Sequence, residues 1–202
     1  MKHEQLNKFD AEKLFRQYQP MFKSLDDNNI KYCLVGGVAV IAHAITNNYD
    51  KYRATIDADL VLPKSYTNKD FAENYIDAYA QNDEETKTIA IALVGDEDLD
   101  KLNDKDNKYA NISFIGAEKE LDGIETPDFD VCRSLNGLSL EDISIEKLNI
   151  LGFEVSVASI DDLITMKQKT IELYGPDPQT NPRFQDFVDL KILKDIKELK
   201  KH

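Results

Sequence analysis

Residues Leu34–Leu62 read LVGGVAVIAHAITNNYDKYRATIDADLVL. An apolar run that begins at Ile30 stops at Gly36-Gly37, and Val38 to Ile45 continues as an apolar, Ala-rich stretch of helical length. TNNYDKY is a loop. Ala54 to Leu62 then alternates, with Thr55, Asp57, Asp59 and Val61 on one side and Ala54, Ile56, Ala58, Leu60 and Leu62 on the other, until Pro63 ends it. The order is therefore strand, glycine turn, helix, loop, strand, with two acids on one face of the second strand.

Each half of this pattern has a chemistry and a plainer explanation. A glycine pair after a buried strand lets backbone approach a ligand, and the helix it opens offers free N–H groups and the positive end of its dipole to a phosphate. A tight turn needing positive φ explains the same pair. Carboxylates two apart on a strand can converge on one hard cation such as magnesium, which removes their repulsion. A solvated strand face in an acidic chain explains them as well.

The rest of the chain reads as α/β, a mixed sheet flanked by helices. A helix is expected from about residue 4 to 28, with Pro20 as a break, and another from Asn68 to Ala80. KTIAIALV (87–94), ANISFIG (110–116), DFDVC (128–132) and FEVSVAS (153–159) are strand candidates. SIDDLITMKQKTIELYG is a helix with Ser159 as N-cap, Asp162 completing a capping box and Gly175 as C-cap. RFQDFVDLKILKDIKELKKH closes the chain as an amphipathic helix. One domain over residues 1–202 is expected, with a C-terminal helical region from about 159 to 202.

Charge and composition narrow the function. The net charge of -13 opposes broad nucleic-acid binding, while an RNA end or a small phosphorylated ligand stays compatible with it. The acidic run GDEDLDKLNDKDNK (95–108) reads as a solvated loop. No run approaches the roughly 18 apolar residues of a membrane span. The N-terminus lacks the apolar stretch of a secretory signal, so the expected compartment is the cytoplasm, with Cys33 and Cys132 as buried thiols. There is no Cys/His zinc spacing, no G-x-S-x-G and no G-K-[ST].

The combination of strand, Gly36-Gly37, helix and then Arg53-x-Thr55-x-Asp57-x-Asp59 resembles the nucleotidyltransferase superfamily that includes DNA polymerase β. Its nearest resemblance is to the branch of AbiEii-type toxins and antibiotic nucleotidyltransferases. That resemblance implies that Asp57 and Asp59 hold magnesium, two ions in all, together with a third carboxylate on a neighbouring strand. Asp130 in DFDVC is the candidate; Asp128 on the same face competes, and Asp96 is a poorer choice. A nucleoside triphosphate is the implied substrate, with phosphates near Gly36, Gly37, Arg53, Thr55 and Lys167, and the acceptor hydroxyl belongs to an antibiotic, an RNA end or a protein. Asp162, Leu163, Lys167, Arg183, Asp186, Asp189 and Leu190 match the branch's C-terminal pattern.

Plainer roles stand beside these. Lys167 also reads as a surface lysine, and Arg53 as the ion-pair partner of an aspartate. Asp186 and Asp189 are expected to pair with Arg183 or Lys191. His43 is expected to be a hydrogen-bonded, half-buried side chain rather than a base. The lysines of the last helix (191, 194, 197, 200 and 201) form either a basic patch or a soluble face. A catalytically idle binding module, for example a toxin–antitoxin component, is the alternative to the enzyme. Oligomeric state is open.

Overall fold

The computed structural model describes residues 5–6, 8–50, 52–53, 55, 57–79, 104–106, 108, 110–114 and 127–201. The expected strand at 87–94, Asp96 and most of the acidic run lie outside these residues. In chain order the elements are β1 (Gln5–Leu6), α1 (Lys8–Asp27), β2 (Cys33–Val35), α2 (Gly36–Thr46), β3 (Tyr52–Arg53), β4 (Asp57–Val61) and α3 (Asn68–Tyr79). There follow β5 (Ile112–Phe114), β6 (Asp128–Cys132), β7 (Ser134–Leu135), β8 (Leu138–Ser139) and a 3-10 turn (Leu140–Asp142). The last elements are β9 (Ile145–Ile150), β10 (Phe153–Ala158), α4 (Ile160–Tyr174) and α5 (Phe184–Leu199).

Among the described residues six strands form one mixed sheet in the order β5-β6-β4-β2-β10-β9. β4 runs parallel to β6 and antiparallel to β2, and β2 runs parallel to β10. Register decides which side chains share a face. Ala58 lies opposite Phe129 and Leu60 opposite Val131, so these four point one way, whereas Asp57, Asp59, Asp128 and Asp130 point the other. The apolar face is sealed by aromatic rings. Phe129 meets Tyr18 of α1 at 5.3 Å, Phe71 of α3 at 5.9 Å and Tyr75 of α3 at 6.0 Å between ring centroids. Phe22 of α1 stacks on Tyr32, which precedes β2, at 5.6 Å.

Three expectations change. α1 runs through Pro20 without a break. The lost hydrogen bond and ring clash cost about 3 kcal/mol, and the full burial of Phe15, Tyr18, Met21, Phe22 and Leu25 outweighs them. The strand expected from Ala54 to Leu62 is β4 from Asp57 to Val61, and Tyr52, expected in a loop, joins Arg53 in a separate two-residue strand that pairs with β1. Two hairpins were not foreseen. β9 and β10 join through Leu151 (φ 55) and Gly152 (φ 89), and β7 and β8 through Asn136 (φ 52) and Gly137 (φ 80). Positive φ at both central residues gives the turn whose twist matches a tight hairpin.

α4 fits its sequence closely. The Ser159 hydroxyl accepts from the Asp162 amide at 3.1 Å, and Gly175 caps the other end. α2, α4 and α5 pack together, and α4 and α5 face the acidic side of β4 and β6 across a cavity.

Phe129 joins the sheet to two helices at once, so Phe129→Ala is expected to lower stability by about 3–5 kcal/mol. Urea unfolding followed by circular dichroism measures this, and a loss below about 1 kcal/mol would show that the aromatic cluster does not hold the sheet.

Candidate functional site

The site begins with the contact between α2 and β4. Gly36 has φ +68, and a Cβ built there would overlap the Asp59 carboxylate at Oδ2. A Cβ at Gly37 would overlap Arg53 Nη2 and lie 3.0 Å from Thr55 Cγ2. Gly36 is therefore required by its backbone angle and by the close approach of Asp59, whereas a side chain at Gly37 would displace the Arg53 guanidinium. Val35 gives α2 no side-chain cap, so its first-turn amides are left to other partners.

Asp59 stands directly opposite Asp130 on the parallel pair β4–β6, and Asp57 opposite Asp128. Asp57 is exposed; Asp59 and Asp130 are half-buried. The Ser113 hydroxyl on β5 donates to Asp130 Oδ1, in keeping with their register. Burial pushes the Asp59 carboxyl up to about 7, and the Asp130 charge adds to the rise; Lys167 and Arg183 oppose it.

Gly36, Gly37, Arg53, Thr55, Asp57, Asp59, Asp130 and Lys167 all line one cavity of about 460 Å³. Asp128 does not line it. The opposite wall includes Leu135, Asn136, Leu163, Met166, Thr170, Arg183, Gln185 and Asp186. His43 is elsewhere: it is fully buried, with Nε2 at 2.8 Å from the Ala158 carbonyl, and burial lowers its pKa.

A chain of alternating charges closes the cavity on the α4–α5 side. Arg53 Nε and Nη2 donate to the two carboxylate oxygens of Asp189 at 2.7 and 3.0 Å. Lys167 Nζ lies 2.8 Å from Asp189 and 2.6 Å from Asp186. Arg183 Nε donates to Asp186 at 3.2 Å. Both aspartates are fully buried and Lys167 nearly so, so each charge depends on its neighbours, and removing one partner from such a set typically costs 3–5 kcal/mol. Lys167 is thus a buried tie between two helices and not the surface lysine that amphipathicity allows. Lys191 pairs with Asp195, not with Asp186 or Asp189.

Sequence reasoning passed over Ser113, Asn136 and Gln185, and placed Arg183 in the C-terminal pattern and as an ion-pair partner but not on the cavity wall. The signal for Ser113 was available: it follows Ile112 in a strand candidate, so its side chain points opposite that of Ile112. Asn136-Gly137 carries the two-residue hairpin signal.

Among the described residues no group of three or more His, Cys, Asp or Glu side chains could by itself hold a metal ion. Magnesium does not need such a cage, since it is commonly bound by one or two carboxylates with water and substrate phosphates completing the shell. The donor set fits that mode: hard oxygens on neighbouring strands, with a repulsion at Asp59 that a cation relieves. Among the described residues no helix is long and apolar enough to cross a membrane.

No family profile and no curated protein sequence matches the chain. Its fold is similar to that of an antigenic nucleotidyltransferase-like protein from Paracoccidioides brasiliensis, with a TM-score of 0.55, 16% identity, and coverage of 94% of this chain and 78% of the other. At that identity the likeness is one of fold.

Asp59 binds its proton more tightly folded than unfolded. Its stabilising contribution is present below the ordinary carboxylate pKa and is lost as pH rises through about 7. In chelator, Asp59→Asn is expected to be more stable than the parent at pH 8 by on the order of 2 kcal/mol, with the gap closing near pH 4. Thermal unfolding across pH 4–8 checks this; a gap independent of pH would contradict it.

Proposed function

We propose that the chain is a metal-dependent nucleotidyltransferase that moves a nucleoside monophosphate from a nucleoside triphosphate to an acceptor hydroxyl. The observation that carries this reading is the in-register placement of Asp59 and Asp130 on parallel strands, with Asp59 set against the glycine start of α2. The nucleotidyltransferase-like fold supports it, and the motif resemblance would place the chain beside the AbiEii-type and antibiotic-modifying enzymes.

Asp57, Asp59 and Asp130 would hold magnesium, with triphosphate oxygens completing its shell; when bound, magnesium neutralises phosphate charge and acidifies an acceptor hydroxyl. Gly36 and Gly37 make room for the Asp59 carboxylate and the Arg53 guanidinium, and a phosphate would lie beside these groups near the α2 amides, which favour negative charge. Arg53, held by Asp189, lines the cavity beside Gly37, with Thr55 next to it. Lys167 fixes α4 against α5 and adds positive potential at Asp59. The acceptor oxygen bonds to the α-phosphorus as the bond to the β-phosphate oxygen breaks, pyrophosphate leaves, and Asp130 takes the hydroxyl proton. Orientation and charge placement supply most of the rate. An antibiotic hydroxyl, an RNA 3′ end and a Tyr or Ser hydroxyl of a protein are the acceptor classes this chemistry serves.

A second reading also has an observation behind it. The engagement of Arg53 and Lys167 by Asp186 and Asp189 would suit an idle binding module, such as a toxin–antitoxin component, whose cations are structural.

The test is magnesium-dependent pyrophosphate release from each nucleoside triphosphate, with pooled RNA, an aminoglycoside, a lincosamide and a protein mixture as acceptors. Release that needs one acceptor and falls at least about a thousandfold in Asp57→Asn and Asp59→Asn is expected. Triphosphate binding with no release from any acceptor would favour the idle module.

A further inference from the structure

The cavity has two chemically different ends. One carries the glycines and the carboxylates. The other is made by the β7–β8 hairpin and α4, where half-buried Leu135 and Asn136 line the cavity beside the buried Leu163 and Met166. Asn136 is the turn residue with φ 52, and its side chain bolts the hairpin to α4. Its Nδ2 donates to the Met166 carbonyl and to Thr170 Oγ1, both at 3.0 Å. The Thr170 hydroxyl spends its own proton on that same Met166 carbonyl at 3.0 Å, so toward Asn136 it can only accept. This fixes the amide orientation: both Nδ2 hydrogens are committed, and Oδ1 is the atom left to meet a ligand. Lys169 Nζ donates to the Asn136 backbone carbonyl at 3.3 Å and holds the turn further.

An apolar side chain beside one fixed acceptor suits a flat heterocycle with an N–H donor on its rim. The half-buried Leu135 offers apolar area to the face of an aromatic ring. A hydroxyl-rich or cationic acceptor would gain nothing from Leu135. Building on the nucleotidyltransferase reading above, we propose that this end is the nucleobase subsite, and that Asn136 Oδ1 accepts from the amino group of adenine (N6) or cytosine (N4). Guanine, hypoxanthine and uracil place a carbonyl oxygen there, where two acceptors face each other and neither is satisfied.

Pairs of nucleotides differing only at that group isolate the contact. Binding of ATP against ITP, and of CTP against UTP, is measured by calorimetry in magnesium with the full chain and no acceptor. In each pair the amino nucleotide is expected to bind about tenfold tighter. Asn136→Gly keeps the positive φ of the turn while deleting Oδ1, and it should bring ATP to the affinity of ITP. Thr170→Val, which loosens the anchor, should reduce the ratio without reversing it. Equal affinity within both pairs, or a preference unchanged in Asn136→Gly, would overturn the base assignment and leave the transferase reading intact. Failure of every triphosphate to bind would overturn both.

Discussion

A carboxylate pressed against a backbone with no room for a side chain organises this molecule. Asp59 occupies the space that a Cβ at Gly36 would take. That contact fixes β4 against the start of α2 and demands both the glycine and its positive φ. It also takes Asp59 partly out of water and sets it beside Asp130, which raises the carboxyl's proton affinity and costs the fold stability near neutral pH. A protein tuned only for stability would place an amide or an apolar residue there. Charge crowding of this kind concentrates where a ligand repays it.

The two walls of the cavity deal with charge differently. On the sheet side Asp57, Asp59 and Asp130 are like charges, and among the described residues no cation is bonded to Asp59. On the α4–α5 side Arg53, Lys167 and Arg183 alternate with Asp186 and Asp189, which leaves one positive charge in excess, and Arg183 is the most exposed cation of the set. The buried part of this set acts mainly as a frame: it ties β3, α4 and α5 together at the edge of the site. Its geometric specificity has a use independent of net stabilisation, since positions along the cavity depend on how these helices sit.

Much of this was legible in the sequence. The alternation of Thr55, Asp57 and Asp59 gave their common face, the DFDVC pattern gave the strand beside them, and Ser159 and Gly175 gave the limits of α4. What escaped is instructive. Pairing of β4 with β6 joins residues about seventy positions apart, and no local pattern shows that Asp130, not Asp128, stands opposite Asp59. The continuous α1 was hidden because a proline penalty is local while the aromatic packing that overrides it comes from β6 and α3. β9 was hidden because Ile145, Leu148 and Ile150 do not alternate strictly with its polar residues, so it lacks the apolar alternation that identifies a half-buried strand. Lys167 illustrates the same limit: one lysine on an amphipathic helix gives no sign that two aspartates from a later helix will bury it.

The central claim is that the carboxylates at the α2–β4 junction form a cation site completed by triphosphate. Manganese binding followed by electron paramagnetic resonance, with and without a non-hydrolysable nucleoside triphosphate, tests it most directly. Affinity that rises about tenfold or more with the triphosphate and is lost in Asp59→Asn is the expected result. Manganese binding that is indifferent to both the triphosphate and Asp59→Asn would contradict it.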